Sequence, residues 1–461
     1  MTRCPADVTH PESILCNLRC ITRNGRASVS ESGLDGAAVR ALRDERIDWR
    51  FKGMPSEAFG STVGEFLARR PRISGSGFVG PLLVLDDDAL EHNLRTMARW
   101  CAEHGLRLAP HGKTTMAPRL FERQLEHGAW GITAANVSQL RVYRAFGVRR
   151  VLLANELVDP HGLAWLAGEL ADDPDFSVAC WVDSVRGVEL MTEALGAPRR
   201  KLDVLVELGD PGGRTGVRTL AEAVEVADAV AASPALRLVG VAGYEATAAH
   251  DLTEHDLSIV DTHMTRLREV VSELAGRGRF GHLDEVVVTA GGSAYFDQVA
   301  AALAAPWPVP VVPVLRSGGY LTHDDGLYRK MSPFGRQHRL AGDEAPFRPA
   351  MRIWSQVVSC PEPGLALLTM GRRDVSFDQH LPEPQVVRGE DGSVRDLAPG
   401  SCRVTSLADQ HAFLALEPGT EVRVGDWLGF GLSHPCTVFD KWPLIPVVDG
   451  DEVVDLVRTF F

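Results

Sequence analysis

The sequence predicts an α/β protein, a (β/α)8 barrel of the TIM type followed by a C-terminal β domain. Three observations carry that prediction. Between positions 106 and 315, eight short apolar runs recur, most of them separated by segments whose apolar residues return at helical spacing, and such an alternation builds a closed parallel barrel. The turn after the first run holds His111-Gly112-Lys113, where an open doubly wound sheet would carry a glycine-rich dinucleotide turn. From about 331 onward the alternation gives way to short extended runs between turn residues, with no long helical period.

Composition narrows the class. With 461 residues, 45% of them hydrophobic and 24% charged, the chain can bury a large core and should form more than one folded unit. A net charge of −13, with no cluster of lysine and arginine, opposes nucleic acid and anionic membrane as partners, so the expected partner is a small molecule. No run of about 18 uninterrupted apolar residues occurs, and the first thirty residues lack the charged-then-apolar order of a signal peptide. A cytoplasmic location is therefore expected. The eight cysteines, at 4, 16, 20, 101, 180, 360, 402 and 436, lack the dense spacing of a disulfide scaffold and fit reduced thiols.

Taken in order, residues 1–78 read as an extension with short helices near 34–46 and 63–69 and a glycine-rich joint, Ser74-Gly75-Ser76-Gly77. Its Cys4, His10, Cys16 and Cys20 are possible zinc ligands whose spacing matches no standard knuckle. Residues 79–330 are the expected barrel unit. They open with a buried strand at 81–86 and a helix reaching Gly105, and the eight runs follow at 106–109, 130–134, 151–154, 178–182, 202–208, 236–241, 286–289 and 309–315. Helical spacing fills the gaps, as at 221–231 and 259–274. Residues 331–461 are the expected β domain, with strands near 353–358, 365–370 and 412–416.

In a barrel, the residues just past each strand share one face. Here they are Lys113; Asn136; Asn155 and Glu156; Asp183; Arg214; Tyr244 and Glu245; Gly291, Gly292 and Ser293; and Ser317 to Tyr320. A lysine held at such an edge and partly desolvated can lose its proton near neutral pH and attack a carbonyl, as a Schiff base with pyridoxal phosphate requires; a solvated loop lysine is the plainer alternative. Thr289-Ala290-Gly291-Gly292-Ser293 and Arg316-Ser317-Gly318-Gly319 follow the last two strands, where bare amides of such barrels receive phosphate. In the β domain stand His380, His411 and the pair His434-Pro435-Cys436. Two apart on extended backbone, His434 and Cys436 would point the same way and share one borderline-soft metal in an open site; a packed histidine beside an inert thiol is the alternative.

Together, Pro81-Leu82-Leu83-Val84-Leu85-Asp86, Pro110-His111-Gly112-Lys113-Thr114 and His434-Pro435-Cys436 with Phe439-Asp440-Lys441-Trp442 resemble the D-serine dehydratase and D-threonine aldolase family. These are alanine-racemase-like, fold-type III pyridoxal-phosphate enzymes. The resemblance runs from Pro81 to the C-terminus, and Asp48-Trp49-Arg50-Phe51-Lys52-Gly53 resembles a bacterial branch of amino acid deaminases. It implies a homodimer in which Lys113 is the Schiff-base lysine, Arg214 lies near the pyridine nitrogen and Tyr244 lines the ring. It places Gly291, Gly292, Ser293, Gly319 and Tyr320 around the phosphate, and makes His434 and Cys436 ligands of zinc or another divalent metal. An arginine at the ring nitrogen has no proton acceptor, so it would keep that nitrogen unprotonated and weaken the ring as an electron sink. The chain departs from the family at Asp409-Gln410-His411-Ala412, where Glu-His-Gly is common, so a role for His411 stays open. The implied activity is metal-assisted dehydration of a D-3-hydroxyamino acid, D-serine foremost, to a 2-oxo acid and ammonia. Retro-aldol cleavage of D-threonine-like substrates, a non-catalytic pyridoxal-phosphate carrier and an alanine-racemase activity are the alternatives. Within the family a cysteine as second ligand goes with dehydratases, and single-barrel carriers lack the β domain.

Overall fold

The structure is a computed structural model that describes residues 33–336, 346–389 and 393–461; Cys4, His10, Cys16 and Cys20 lie outside the described residues. After strand β1 (Leu82–Asp86), the eight expected barrel strands appear in order: β2 (Arg107–Leu108), β3 (Ile132–Ala134), β4 (Arg150–Glu156), β5 (Ser177–Val182), β6 (Leu202–Leu208), β7 (Leu236–Gly243), β8 (Val286–Ala290) and β9 (Val311–Leu315). From β3 to β9 each strand pairs in parallel with its sequence neighbours, and β9 returns to β2. The Trp130 and Thr133 amides close the ring by donating across the β2–β3 gap to the carbonyls of Leu108 (2.7 Å) and Pro110 (2.9 Å). Inward-pointing Leu152, Trp181, Leu205 and Val314 fill the barrel. Their outward neighbours Leu153, Val204, Val206 and Val288 pack beneath the helices. Strands buried on both faces read as continuous apolar runs, which is why the sequence displayed them.

The helices begin where their caps stand. The Asp86 carboxylate accepts the Ala89 amide at 2.8 Å to start the helix Asp87–Glu103. Thr219 and Glu222 form a reciprocal capping box at the head of Leu220–Ala232.

The remaining strands are β10 (Met351–Glu362), β11 (Leu365–Leu368), β12 (Glu383–Arg388), β13 (Val394–Asp396), β14 (Cys402–Leu407), β15 (Ala412–Leu416), β16 (Trp427–Gly431), β17 (Leu444–Asp449) and β18 (Glu452–Arg458). They form a second sheet, and β1 belongs to it, antiparallel to β10 and parallel to β17. So the strand that opens residues 79–330 lies outside the barrel. Its pattern explains the position: Leu83 and Leu85 face the main core, while Leu82 and Val84 face a second core with Phe51, Phe66 and Ile73. A strand apolar on both faces has to sit inside a layered structure.

The described part of the extension is packed. Helix Gly36–Ala41, capped by Asp35, leans on the helix Pro118–Glu126, and Ile47, Met54 and Val63 cover the outer face of β17 and β18. Among the described residues no helix is long and apolar enough to cross a membrane.

Gly240 on β7 shows how close the barrel strands run, since a Cβ there would come within 1.8 Å of the Val287 carbonyl oxygen on β8. Gly240→Ala should therefore cost about 3 kcal/mol or more, or prevent folding. Gly168, in the helix Pro160–Asp172, has open space around its missing side chain. Gly168→Ala should stabilise by about 0.5–1 kcal/mol. Denaturant midpoints check both, and a wild-type midpoint for Gly240→Ala would dismiss the close-approach argument.

Candidate active site

The carboxyl end of the barrel opens into a cavity of about 310 Å³. Lys113, Arg214, Tyr244, Gly291, Gly292, Ser293, Gly319, His434 and Cys436 all line it. Lys113 stands in the single turn Gly112–Thr114, just past β2. Gly112 has to be glycine, because a Cβ would meet the Tyr143 hydroxyl at 2.4 Å and Ile132 Cγ2 at 2.9 Å. Among the described residues no hydrogen bond or ion pair engages the Lys113 amine. Burial lowers its pKa, the neighbouring Cys436 sulfur pulls it back, and the charges of Arg214 and Arg316 lower it again. The net result is an amine that gives up its proton more readily than a free lysine. His111, beside it, is held neutral: burial, then Lys113, Arg316 and Arg214, keep its imidazole well below the ordinary range.

Arg214 follows β6 on a loop pinned at several points. The Gly209 amide donates to the Val217 carbonyl at 3.0 Å, and the Gly216 amide to Asp183 at 3.0 Å. The Asp210 carboxylate is gripped by His263 (2.6 Å) and Arg266 (2.7 Å). Thus fixed, the Arg214 guanidinium lies 5.0 Å from the centre of the Tyr244 ring. Two residues expected at the mouth serve the scaffold instead: Asp183 holds this loop, and Asn136 caps the helix Val137–Ala145.

Sequence reasoning missed three contributors. Arg316 is fully buried, donates to Thr289 Oγ1 (2.7 Å) and the Gly243 carbonyl (2.6 Å), and puts a second guanidinium in the cavity wall. It is the first residue past β9, the offset that would have found it. Tyr328 packs against Gly319, where a Cβ would come within 2.6 Å of its ring. Glu207, on β6, points inward with a buried oxygen that meets no partner, and Glu156 nearby has two. Burial first, then the Glu207 and Asp183 charges, push the Glu156 carboxyl up to about 9.

The glycine-rich loops are not bare. The fully buried Glu245 carboxylate accepts the amides of both Gly291 and Gly292, at 3.0 Å each. A buried carboxylate has to be satisfied, and these were the nearest donors. The Gly319 amide donates to Ser293 Oγ at 3.1 Å. Tyr320 turns away from the cavity, its hydroxyl accepting from Gln124 at 3.4 Å and its ring 6.1 Å from that of Phe347.

His434 and Cys436 reach the cavity by a route other than extended backbone. His434 is left-handed, with φ 53°, and Pro435–Thr437 forms a single tight turn. That reversal lets both side chains face Lys113 and Thr114, with Cys436 Sγ 3.4 Å from Thr114 Oγ1. The Cys436 thiol sits below its ordinary pKa: burial alone would raise it, and His434, Thr114 and Lys113 outweigh that. Hydrogen bonding to Cys436, offset by burial and helped by Asp378, raises the imidazole to about 9. Among the described residues no group of three or more His, Cys, Asp or Glu converges to hold a metal. His411 is exposed on the β14–β15 hairpin, and His380 lines a separate groove with Asp325 and Glu383.

A closed parallel barrel with a desolvated lysine at its mouth, completed by a His–Cys pair from a β domain, defines an alanine-racemase-like enzyme class. The family model "Alanine racemase, N-terminal domain" matches residues 85–327, and "Putative serine dehydratase domain" matches residues 350–448. The chain belongs to this family and is a pyridoxal-phosphate-dependent lyase. It is 29% identical to the 3-hydroxy-D-aspartate aldolase of Paracoccus denitrificans (strain Pd 1222) over 376 residues, which is 75% of this chain and 91% of that protein. With the D-threonine aldolase of Arthrobacter sp. it shares 27% over 377 residues, 82% of this chain and 90% of the other. Among solved structures, D-threonine aldolase from Filomicrobium marinum aligns with a TM-score of 0.68 at 26% identity, covering 83% of this chain and 95% of its own. D-threo-3-hydroxyaspartate dehydratase from Delftia sp. HT23 shares the fold, with a TM-score of 0.64 at 21% identity, covering 83% and 98%.

Glu156 gives a pH signature. Its folded pKa, about 9, lies above the ordinary 4.5, so its favourable contribution is complete below pH 4.5 and is lost as pH rises toward 9. Glu156→Gln should raise the thermal midpoint at pH 8 and leave it unchanged near pH 4.5. Thermal scans at the two pH values check this; a difference independent of pH would refute it.

Proposed function

We propose that this protein dehydrates a D-3-hydroxyamino acid, with D-serine the leading substrate, to a 2-oxo acid and ammonia. The observation that carries the reading is one cavity holding both the unbonded Lys113 amine and a low-pKa Cys436 sulfur paired with His434. Pyridoxal phosphate, when bound, supplies an electrophilic carbon for the lysine and a conjugated ring that spreads negative charge from the substrate α-carbon. The cavity suits it, because Lys113, Arg214 and Arg316 outnumber Glu207 and favour an anionic phosphate. Ser293, Gly319 and Tyr328 would hold that phosphate, and Tyr244 would line the ring. Arg214, a donor with no acceptor, would face the ring nitrogen and leave it unprotonated.

Lys113, whose buried amine gives up its proton more readily than a free lysine, would remove the substrate α-proton. Hydroxide is a poor leaving group. His434 and Cys436 would hold a divalent metal, zinc by the softness of a thiolate–imidazole set, which would supply Lewis acidity for a substrate oxygen. Two protein ligands leave coordination positions open for water or substrate. The enamine that departs takes up water to give the oxo acid and ammonia.

The similarity to D-threonine aldolase and 3-hydroxy-D-aspartate aldolase over 75–82% of the chain supports a second reading, retro-aldol cleavage. The match to the Delftia dehydratase covers 30% of the chain at 27% identity. Cys436 as second ligand favours dehydration.

The purified protein should be yellow and form pyruvate and ammonia from D-serine. Lys113→Ala should lose the colour and about a thousandfold or more in kcat. Chelation should abolish pyruvate formation while colour and thermal midpoint stay nearly unchanged. Glycine and acetaldehyde from D-threonine, with D-serine inert, would replace this reading by the aldolase one, and full activity after chelation would remove the metal.

A further inference from the structure

His434 is held in an unusual backbone state, and its ring is held as well. The left-handed residue, φ 53°, donates its amide to Asp324 Oδ2 at 3.0 Å. Its ring nitrogen Nδ1 lies 2.5 Å from Asp378 Oδ2. The other Asp378 oxygen accepts the Thr437 hydroxyl at 2.8 Å. Asp378 belongs to the connection between β11 and β12, which is itself fastened to the metal turn. The Ser376 hydroxyl donates to the Ser433 carbonyl, and Trp442 Nε1 donates to the Asp374 carbonyl at 2.8 Å.

We propose that Asp378 is the positioning residue of the metal pair: its carboxylate orients the His434 ring and fixes Nε2 as the nitrogen that binds metal with Cys436. This rests on the metal reading given above. With both oxygens accepting, the carboxylate dictates that Nδ1 carries the ring proton, so the lone pair stands on Nε2. It also limits rotation of the ring, whose other side-chain partner is Cys436. A carboxylate behind a ligating imidazole fixes the tautomer and raises ligand basicity, and its loss costs about 10–100-fold in metal affinity. An ordinary half-exposed ion pair behaves differently, contributing about 0–1 kcal/mol to folding and nothing to metal uptake. Asp378 is not itself a third ligand, since His434 and Thr437 engage its two oxygens and no three-residue ligand group converges among the described residues.

Cobalt(II) titration of the pyridoxal-loaded wild type, Asp378→Ala and Asp378→Asn, read by the thiolate-to-cobalt absorption of Cys436 and by bound metal after dialysis, tests this. Asp378→Ala should bind cobalt and zinc about 10–100-fold more weakly at an unchanged pyridoxal spectrum, and raised zinc should restore its activity. Asp378→Asn keeps an acceptor for the Nδ1 proton without the charge, and should weaken binding by about 3–10-fold; it decides the matter if the alanine variant does not fold. Wild-type cobalt affinity in either folded variant overturns the role of Asp378 while leaving the metal reading intact. A wild type that takes up no cobalt or zinc overturns both.

Discussion

The site depends on one buried carboxylate, Asp324, just past the barrel's last strand and 1% exposed. One of its oxygens accepts the amides of Gly326 (2.9 Å) and Tyr328 (2.8 Å), and the other accepts that of His434 (3.0 Å). Burial pushes its pKa up and the amides pull it back. A single side chain thereby fixes the barrel exit, the wall formed by Tyr328 and the turn that carries His434 and Cys436. A left-handed histidine costs about 1–3 kcal/mol of backbone strain and persists only where its surroundings over-determine it. Asp324 and Asp378, gripping its amide and its ring, are those surroundings.

Much of this was legible in the sequence, for a definite reason. Eight parallel strands buried on both faces leave continuous apolar runs, and closure of a barrel then puts every strand end on one rim. Lys113, Arg214, Tyr244 and the glycine loops follow from that rule alone. What the sequence concealed lies in long-range contacts. Strand β1 reads as a buried strand ahead of the eight runs, and nothing marks it as part of the second sheet, because burial on both faces looks alike in either sheet. The Gly291 and Gly292 amides are claimed by Glu245, about 46 residues earlier in the chain, and nothing local announces it. His434 precedes a proline, which favours extended backbone, and the left-handed turn comes from Asp324, 110 residues away.

The electrostatics of the mouth divide its labour. Lys113 is pressed toward neutrality by burial and two guanidiniums, while Cys436 is pressed toward the thiolate by His434 and by that same lysine. One cavity thus holds an amine and a thiol that both release their protons more readily than a lysine and a thiol in water. Glu156 holds its proton more tightly than an ordinary carboxyl because it is buried and because Glu207 and Asp183 stand beside it.

The extension explains why the turn of His434 and Cys436 stays in register with the barrel. Lys52 reaches across to bond Asp374 at 2.9 Å and the Arg373 carbonyl at 3.0 Å, with its ammonium 4.0 Å from the centre of the Trp442 ring. Trp442 is fully buried and returns a hydrogen bond to the Asp374 carbonyl. Asp374 is four residues ahead of Asp378, and Trp442 closes the segment that begins at His434. The lysine therefore ties the two strands of chain that bring a carboxylate and an imidazole together. Partial burial makes that tie stronger than a surface ion pair, because water screens it less and the indole face adds a cation–π contact. The segment around Asp48 to Gly53 is in this way a structural support of the wall that carries His434 and Cys436, although it lies outside both the barrel and the second sheet.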